Sequence, residues 1–359
     1  MSGDRPWARP GVPAALGAAL LFGAGTPLAK RLLLGVDPWM LAGLLYLGSG
    51  IGLGAWRLAR RAAPVRLARA EALWFAAAVG FGGVLGPVLL MLGLRGMAAA
   101  GAALLLNAES VFTALLAWFV FRENFDRRIA LGMLAIVAGG LVLSWPQDGA
   151  HLHWSALWPV MAVLGACLGW GLDNNLTRKV ALADAGFIAM TKGLAAGATN
   201  LLLALFLGAR LPQPDVAAMA AALGFASYGV SLALFVVALR QLGTARTGAY
   251  FSVAPFFGAL LAVLLLGEPL TIPLLLAGLL MALGVWLHVS ERHAHLHTHR
   301  PLTHDHSHVH GGPRDDGHHD HVHEPALPPG TRHSHPHAHA PVTHSHAHFP
   351  DVHHRHRHG

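Results

Sequence analysis

Apolar positions along this chain fall into long unbroken runs, with neither the alternation of half-buried strands nor the single stripe of surface helices. A helix needs roughly 20 apolar residues to cross a bilayer. Ten runs of that order occupy residues 12–34, 38–57, 71–94, 97–121, 128–145, 156–177, 185–208, 215–239, 243–266 and 270–290. The breaks between them are short and hold most of the charges. Beyond residue 290 the runs stop and His alternates with other residues. The pattern predicts an all-α integral membrane protein with ten transmembrane helices, followed by a disordered C-terminal tail over residues 291–359. A signal peptide is the weaker reading of the first run, because further spans follow it without pause.

The spans repeat. At an offset of 145 residues Arg95 pairs with Arg240, Phe112 with Phe257, Glu123 with Glu268 and Gly139 with Gly284. The run from Ala114 to Ala117 matches that from Ala259 to Ala262. This divides the body into two five-helix repeats, residues 11–145 and 154–290. Five is odd, so the copies are inverted relative to each other, an architecture of secondary transporters with a substrate site near the midplane.

Composition fits this division. Charged residues are 12 % of the chain, against about 25 % in soluble domains. The body carries 19 Lys or Arg and 11 Asp or Glu, the tail 6 and 7. The positive excess is therefore a topology signal and no argument for nucleic acid as a partner. With the N-terminus in the cytoplasm, inside loops hold 14 Lys or Arg and outside loops 4, so both termini are expected on the cytoplasmic side. Glycines at spacing four, such as Gly48/Gly52, Gly50/Gly54 and Gly193/Gly197, suit close helix packing in lipid. Cys167 stands alone in an apolar run and reads as a packed thiol.

The stretch LFGAGTPLAK from Leu21 to Lys30, with the span ends Phe121-Arg122-Glu123 and Leu266-Gly267-Glu268, resembles the drug/metabolite transporter superfamily, specifically its EamA type. The resemblance covers residues 11 to 290 and departs in the first half, where Arg122 stands in place of the second half's Gly267. It implies export of a small molecule by alternating access in a bacterial cytoplasmic membrane, coupled to protons, and it says little about which substrate.

An ionisable group at bilayer depth is a functional candidate by default. Glu109 lies mid-span and is read either as a proton or cation coupling site or as a carboxyl held in helix packing. Asn107 and Ser110 share its neighbourhood, and Asn107/Ser110 and Glu109/Thr113 each share a helix face. Asp173 shares a face with Trp170 and Thr177 near a span end. Lys30, also near a span end, either snorkels or faces an acidic substrate group. Lys192 lies deeper, with Asp173 or Glu109 as its partner. Tyr250 and Ser252 flank the break expected at Pro255; Pro27 and Pro87 interrupt two other spans. Glu123 and Glu268 are expected against the N-terminal dipoles of the helices that follow them.

The tail holds 23 of the 26 histidines. They run as His293, His295, His297, His299; His304, His306, His308, His310; His319, His321, His323; His333, His335, His337, His339; His344, His346, His348; and a last group from His353. Neutral imidazole suits Zn, Ni, Co or Cu ions. No cofactor is required by the body. The sequence thus reads as a secondary-active exporter of a small metabolite with a transition-metal-binding tail, its partners being the lipid bilayer, the substrate and metal ions, and its state monomer or homodimer. Two alternatives stand: a transition-metal (Ni, Co or Zn) transporter fed by the tail, and a membrane-anchored metal buffer or sensor. No nucleophile–base set or phosphate loop suggests an enzyme.

Overall fold

A computed structural model describes residues 11–62, 65, 69–121, 127–145, 154–177, 184–242, 244–289, 294–298, 302–309, 332–339 and 343–347. The chain forms two units, Met1–Glu291 and Arg292–Gly359. In the first, every described element is helical: α1 Gly11–Leu32, α2 Pro38–Ala59, α3 Arg69–Ala78, α4 Gly86–Gly96, α5 Ala99–Leu105, α6 Ala108–Phe121, α7 Arg127–Ser144, α8 Trp154–Thr177, α9 Ala185–Phe206, α10 Pro214–Gly224, α11 Ser231–Leu242, α12 Thr244–Phe251, α13 Ala254–Leu266 and α14 Ile272–Val289. Two π-helical segments, π1 Val79–Leu85 and π2 Phe225–Val230, join α3 to α4 and α10 to α11.

Eight rods among the described residues are long and apolar enough to span a membrane. α8 and the shorter apolar helix Ile272–Leu287 take the sixth and tenth places in the series. The surface between the charged ends is apolar, with Leu34 and Leu58 80 % exposed and Phe206 87 %. Such a surface belongs in hydrocarbon.

The repeat is visible in the elements. Adding 145 to the bounds of α3, π1, α4, α5, α6 and α7 gives those of α10, π2, α11, α12, α13 and α14 to within one residue. Packing follows the same symmetry: α1 lies against α11 and α13, α8 against their counterparts α4 and α6, α2 against α9, and α7 against α14. Each repeat therefore buries its first helix in the other one. Small residues make this possible. A Cβ on Gly193 would lie 2.7 Å from the backbone nitrogen of Gly50 and 2.8 Å from its Cα, so α2 and α9 meet backbone to backbone, where dispersion contacts hold helices together in lipid.

The local sequence explains the helix ends. Asp37 and Asp184 are N-caps of α2 and α9, accepting from the N–H groups of Trp39 at 2.9 Å and Phe187 at 2.7 Å. Asp184 also takes Arg57, at the C-terminal end of α2, as its ion-pair partner. Gly267 ends α13 at φ +69°, a left-handed conformation that glycine adopts without strain. Glu268 follows directly. It was expected against the helix after it, α14; instead its carboxylate accepts from Ala99 N–H at 2.6 Å and Ala100 N–H at 2.7 Å. The start of α5 offers free N–H groups of its own, and the left-handed turn at Gly267 makes them the ones within reach. Glu123, its counterpart, lies outside the described residues.

The described residues of the second unit are short extended segments within the tail. Strands β1 Ala294–Thr298, β2 Leu302–Val309, β3 Arg332–His339 and β4 Thr343–Ala347 form two antiparallel pairs, β1 with β4 and β2 with β3. The His-x-His alternation has the two-residue period of a strand, and pairing supplies the backbone hydrogen bonds that a missing core cannot.

Candidate functional site

Spans four and nine are each interrupted at the same point of the repeat. The first breaks at Leu106–Asn107, between α5 and α6; the second at Ser252–Val253, between α12 and α13. Interrupted helices expose backbone groups at bilayer depth and mark substrate sites in transporters. Pro255 stands in the first turn of α13, where its missing N–H leaves no hydrogen bond unmade. Pro87 lies where π1 runs into α4 without a break, so the helix lacks one N–H there, and Pro27 lies inside α1.

Glu109 sits in the first turn of α6, where the helix dipole favours a negative charge. Its Oε1 accepts from Asn174 Nδ2 at 2.8 Å, and the same amide reaches Thr113 Oγ1 at 3.3 Å. Next to Asn174 on α8, Asp173 is buried, at 6 % exposure. Lys192 Nζ on α9 donates to both its carboxylate oxygens at 2.7 Å, which settles the partner of Lys192 as Asp173. Thr177 donates a further bond to Asp173 Oδ1 at 2.9 Å. The carboxylate is thus satisfied by a lysine and a hydroxyl, as a buried charge must be.

The π1 segment supplies the next layer. Gly82 faces Asp173 directly, and a Cβ on it would overlap the carboxylate. Its carbonyl accepts from Trp170 Nε1 at 2.9 Å and Tyr46 Oη at 3.1 Å, and the Gly83 carbonyl from Asn200 Nδ2 at 3.2 Å. A π turn displaces carbonyls from the α ladder, and here side chains from α2, α8 and α9 bond them. From Tyr46 an aromatic row leads into the second repeat. The Tyr46 and Tyr228 rings lie 5.4 Å apart, Tyr228 and Phe22 5.9 Å, and Phe22 and Phe251 5.4 Å. The site therefore has a charged end, at Asp173, Lys192 and Glu109, and an aromatic side.

The structure gathers only part of the sequence-level candidate set. Asp173, Lys192 and Glu109 join, with Asn174 as the link. Asn107 is 5 % exposed and donates to Leu104 O at 2.9 Å, with Met281 Sδ of α14 at 3.9 Å, so it serves the helix break and the packing behind it. Ser110 is exposed and donates to the Asn107 carbonyl at 2.7 Å. Lys30 caps the C-terminal end of α4, donating to the carbonyls of Leu94 at 2.6 Å and Met97 at 3.0 Å. Tyr250 is half-buried on α12 and has no hydrogen bond to the cluster among the described residues. Tyr46, Tyr228, Asn175 and Asn200 were not singled out in the sequence. Polar side chains inside apolar spans were the available signal: the chain has only three tyrosines, and two of them meet here.

Among the described residues no group of three or more His, Cys, Asp or Glu is placed to hold a metal. Cys167 packs against the Leu105 carbonyl at 3.6 Å. The side chains of the tail histidines lie outside what is described, as do His293, His299, His310, His319, His321, His323 and His348 altogether.

Residues 9–145 and 157–290 each match the model of the EamA-like transporter family. A protein of Methanothermobacter thermautotrophicus named "Uncharacterized transporter" is 28 % identical over 285 residues, covering 75 % of this chain and 83 % of its own. A "Probable amino-acid metabolite efflux pump" of Salmonella typhimurium is 27 % identical over 214 residues, 54 % of this chain and 68 % of its own. A protein of known crystal structure superposes with a TM-score of 0.58 at 20 % identity, over 77 % of this chain and 95 % of its own. That last likeness concerns the fold alone.

Proposed function

Because the chain belongs to the EamA-like transporter family, and so is a multi-pass membrane transporter and no enzyme, we propose that it exports a small zwitterionic metabolite of amino-acid type by alternating access. The name of the Salmonella relative points to that class. The observation that carries the reading is the Lys192–Asp173 pair, 2.7 Å apart at the end of an aromatic row. A zwitterion can exchange partners with such a pair: its carboxylate takes Lys192 while its ammonium takes Asp173. No charge is then left uncompensated in a poorly hydrated site, where an orphaned ion is the costly state. The aromatic rings accept an apolar side chain.

Glu109 is the coupling carboxyl in this reading. It stands at the start of a half-helix, bonded to the residue next to Asp173, and exchanges a proton with whichever side the site faces. The Lys and Arg asymmetry of the loops supports a bacterial cytoplasmic membrane with both termini inside. A transition metal as cargo would need imidazole or thiolate along its path, and the cluster offers carboxylates, amides and phenols.

The test is counterflow of radiolabelled amino acids in proteoliposomes. Wild type should exchange at least one of them, and Asp173→Asn and Lys192→Gln should each abolish exchange while remaining monodisperse. Exchange at the wild-type rate in either variant overturns the reading.

A further inference from the structure

The helices sort around the two π segments. α8 and α9 pack against π1, and α1 and α2 against π2. The charges of the site lie in the first group: Asp173 on α8, Lys192 on α9, and Glu109 on α6, which packs against α8. The rings of Phe22 on α1, Tyr228 in π2 and Phe251 on α12 lie in the second. Tyr46 reaches across from α2 to the Gly82 carbonyl of π1. At the 145-residue offset Asp173 corresponds to Leu28, Lys192 to Leu47 and Trp170 to Gly25. The second group therefore lacks the acid, the amine and the indole at the equivalent places. What it has instead is Tyr228, at the position that Gly83 takes in π1.

Tyr228 differs from Tyr46 in one respect. The Tyr46 hydroxyl is bonded to the Gly82 carbonyl at 3.1 Å, whereas the Tyr228 hydroxyl has no hydrogen-bond partner among the described residues. The Tyr228 ring is half-buried and stands 5.4 Å from that of Tyr46. A buried phenol ordinarily finds a partner, and an open one beside a charged cluster suits the polar group of a ligand. Transport adds a requirement. A ligand shifts a conformational equilibrium only by the difference in its contacts, so a substrate that touched the first group alone would favour neither arrangement of the two.

We propose that Tyr228 binds the substrate, its hydroxyl donating to the carboxylate that Lys192 also takes. This rests on the exchange reading of the Lys192–Asp173 pair given above. A phenol donates better than it accepts, so it seeks the anionic end of a zwitterion. A carboxylate has two oxygens and can accept from Lys192 with one and from Tyr228 with the other. A hydrogen bond to a charged acceptor is among the stronger ones. The carboxylate thus ties π2 to α9, while the ammonium stays with Asp173.

The experiment is counterflow in proteoliposomes with the set of radiolabelled proteinogenic amino acids. For the one that wild type exchanges fastest, the unlabelled amino acid and its primary carboxamide then serve as competitors. Tyr228→Phe keeps the ring and removes only the hydroxyl. It should raise the KM by about tenfold, and the preference for the amino acid over its carboxamide should fall several-fold. That preference is a ratio within one preparation, so a lower yield does not enter it. Replacing Tyr228 by 4-aminophenylalanine, which keeps a donor at the para position, should retain more of the preference than Tyr228→Phe does. An unchanged KM and preference in Tyr228→Phe, or equal loss in both variants, overturns the assignment and leaves the Lys192–Asp173 reading in place. Absence of amino-acid exchange in wild type overturns both.

Discussion

Glu268 caps a helix that begins 169 residues before it, accepting from the Ala99 N–H at 2.6 Å. Beside it, Lys30 holds the carbonyls that end α4. One end of the bundle is thus closed by a carboxylate on a helix start and an ammonium on a helix end, each matched to the local dipole. Glu268→Ala should cost about 1–2 kcal/mol, the upper range of a lost N-cap. A lower detergent-phase Tm with the family fold retained by circular dichroism is the expected outcome; an unchanged Tm would show that the cap carries no weight.

Breaking the Lys192–Asp173 pair from one side should be worse than removing it. Each side chain is mostly buried, at 18 % and 8 % exposure. Asp173→Asn alone should destabilise by about 3 kcal/mol, because Lys192 is left charged without its partner. Asp173→Asn/Lys192→Gln should recover much of that loss but none of the transport. Chemical denaturation in detergent checks the first statement and counterflow the second.

Glu109→Gln keeps the size of the side chain and an oxygen for Asn174 but has no proton to exchange. Counterflow should survive in this variant, whereas efflux driven by an imposed pH gradient should fall to the passive rate. Gradient-driven efflux at the wild-type level would remove Glu109 from the coupling step.

The Gly82 carbonyl receives two donors, Trp170 and Tyr46. Tyr46→Phe or Trp170→Phe alone should each cost about 1 kcal/mol or less, since a carbonyl with one remaining partner is still satisfied. Together they should cost more than the sum of the two. A double-mutant cycle on Tm reads this coupling directly. By contrast Gly82→Ala, whose Cβ would displace the Asp173 carboxylate, should disable transport at near-normal yield.

The helical spans were legible because a bilayer leaves few alternatives: long apolar runs must become helices, and the 145-residue offset reappears in the bounds of the described elements. The candidate acid and base were legible for the same reason, since Glu109, Asp173 and Lys192 are conspicuous inside apolar runs. Their pairing was not. Whether Lys192 meets Asp173 or Glu109 depends on how α9 is rotated in the bundle, and the glycine contacts that seat α9 on α2, such as Gly193 with Gly50, are not visible in the charges. The role of Glu268 was hidden likewise, because its partners belong to the other repeat. The π segments left no trace in hydropathy, because spans that are apolar all round have no polar stripe whose phase a π turn could shift.

Those two segments, Val79–Leu85 and Phe225–Val230, stand at matching places in the two halves. A π turn is in effect a helix carrying one surplus residue. Finding the surplus twice at the same spot makes it a property of the repeat and not of one half alone. Deleting Gly83 should then straighten one copy and Tyr228 the other, and a protein shortened at only one of them should stall with a single side open to cysteine-directed labelling. The same repeated irregularity would be the hinge of one half-cycle and, upside down, of the other.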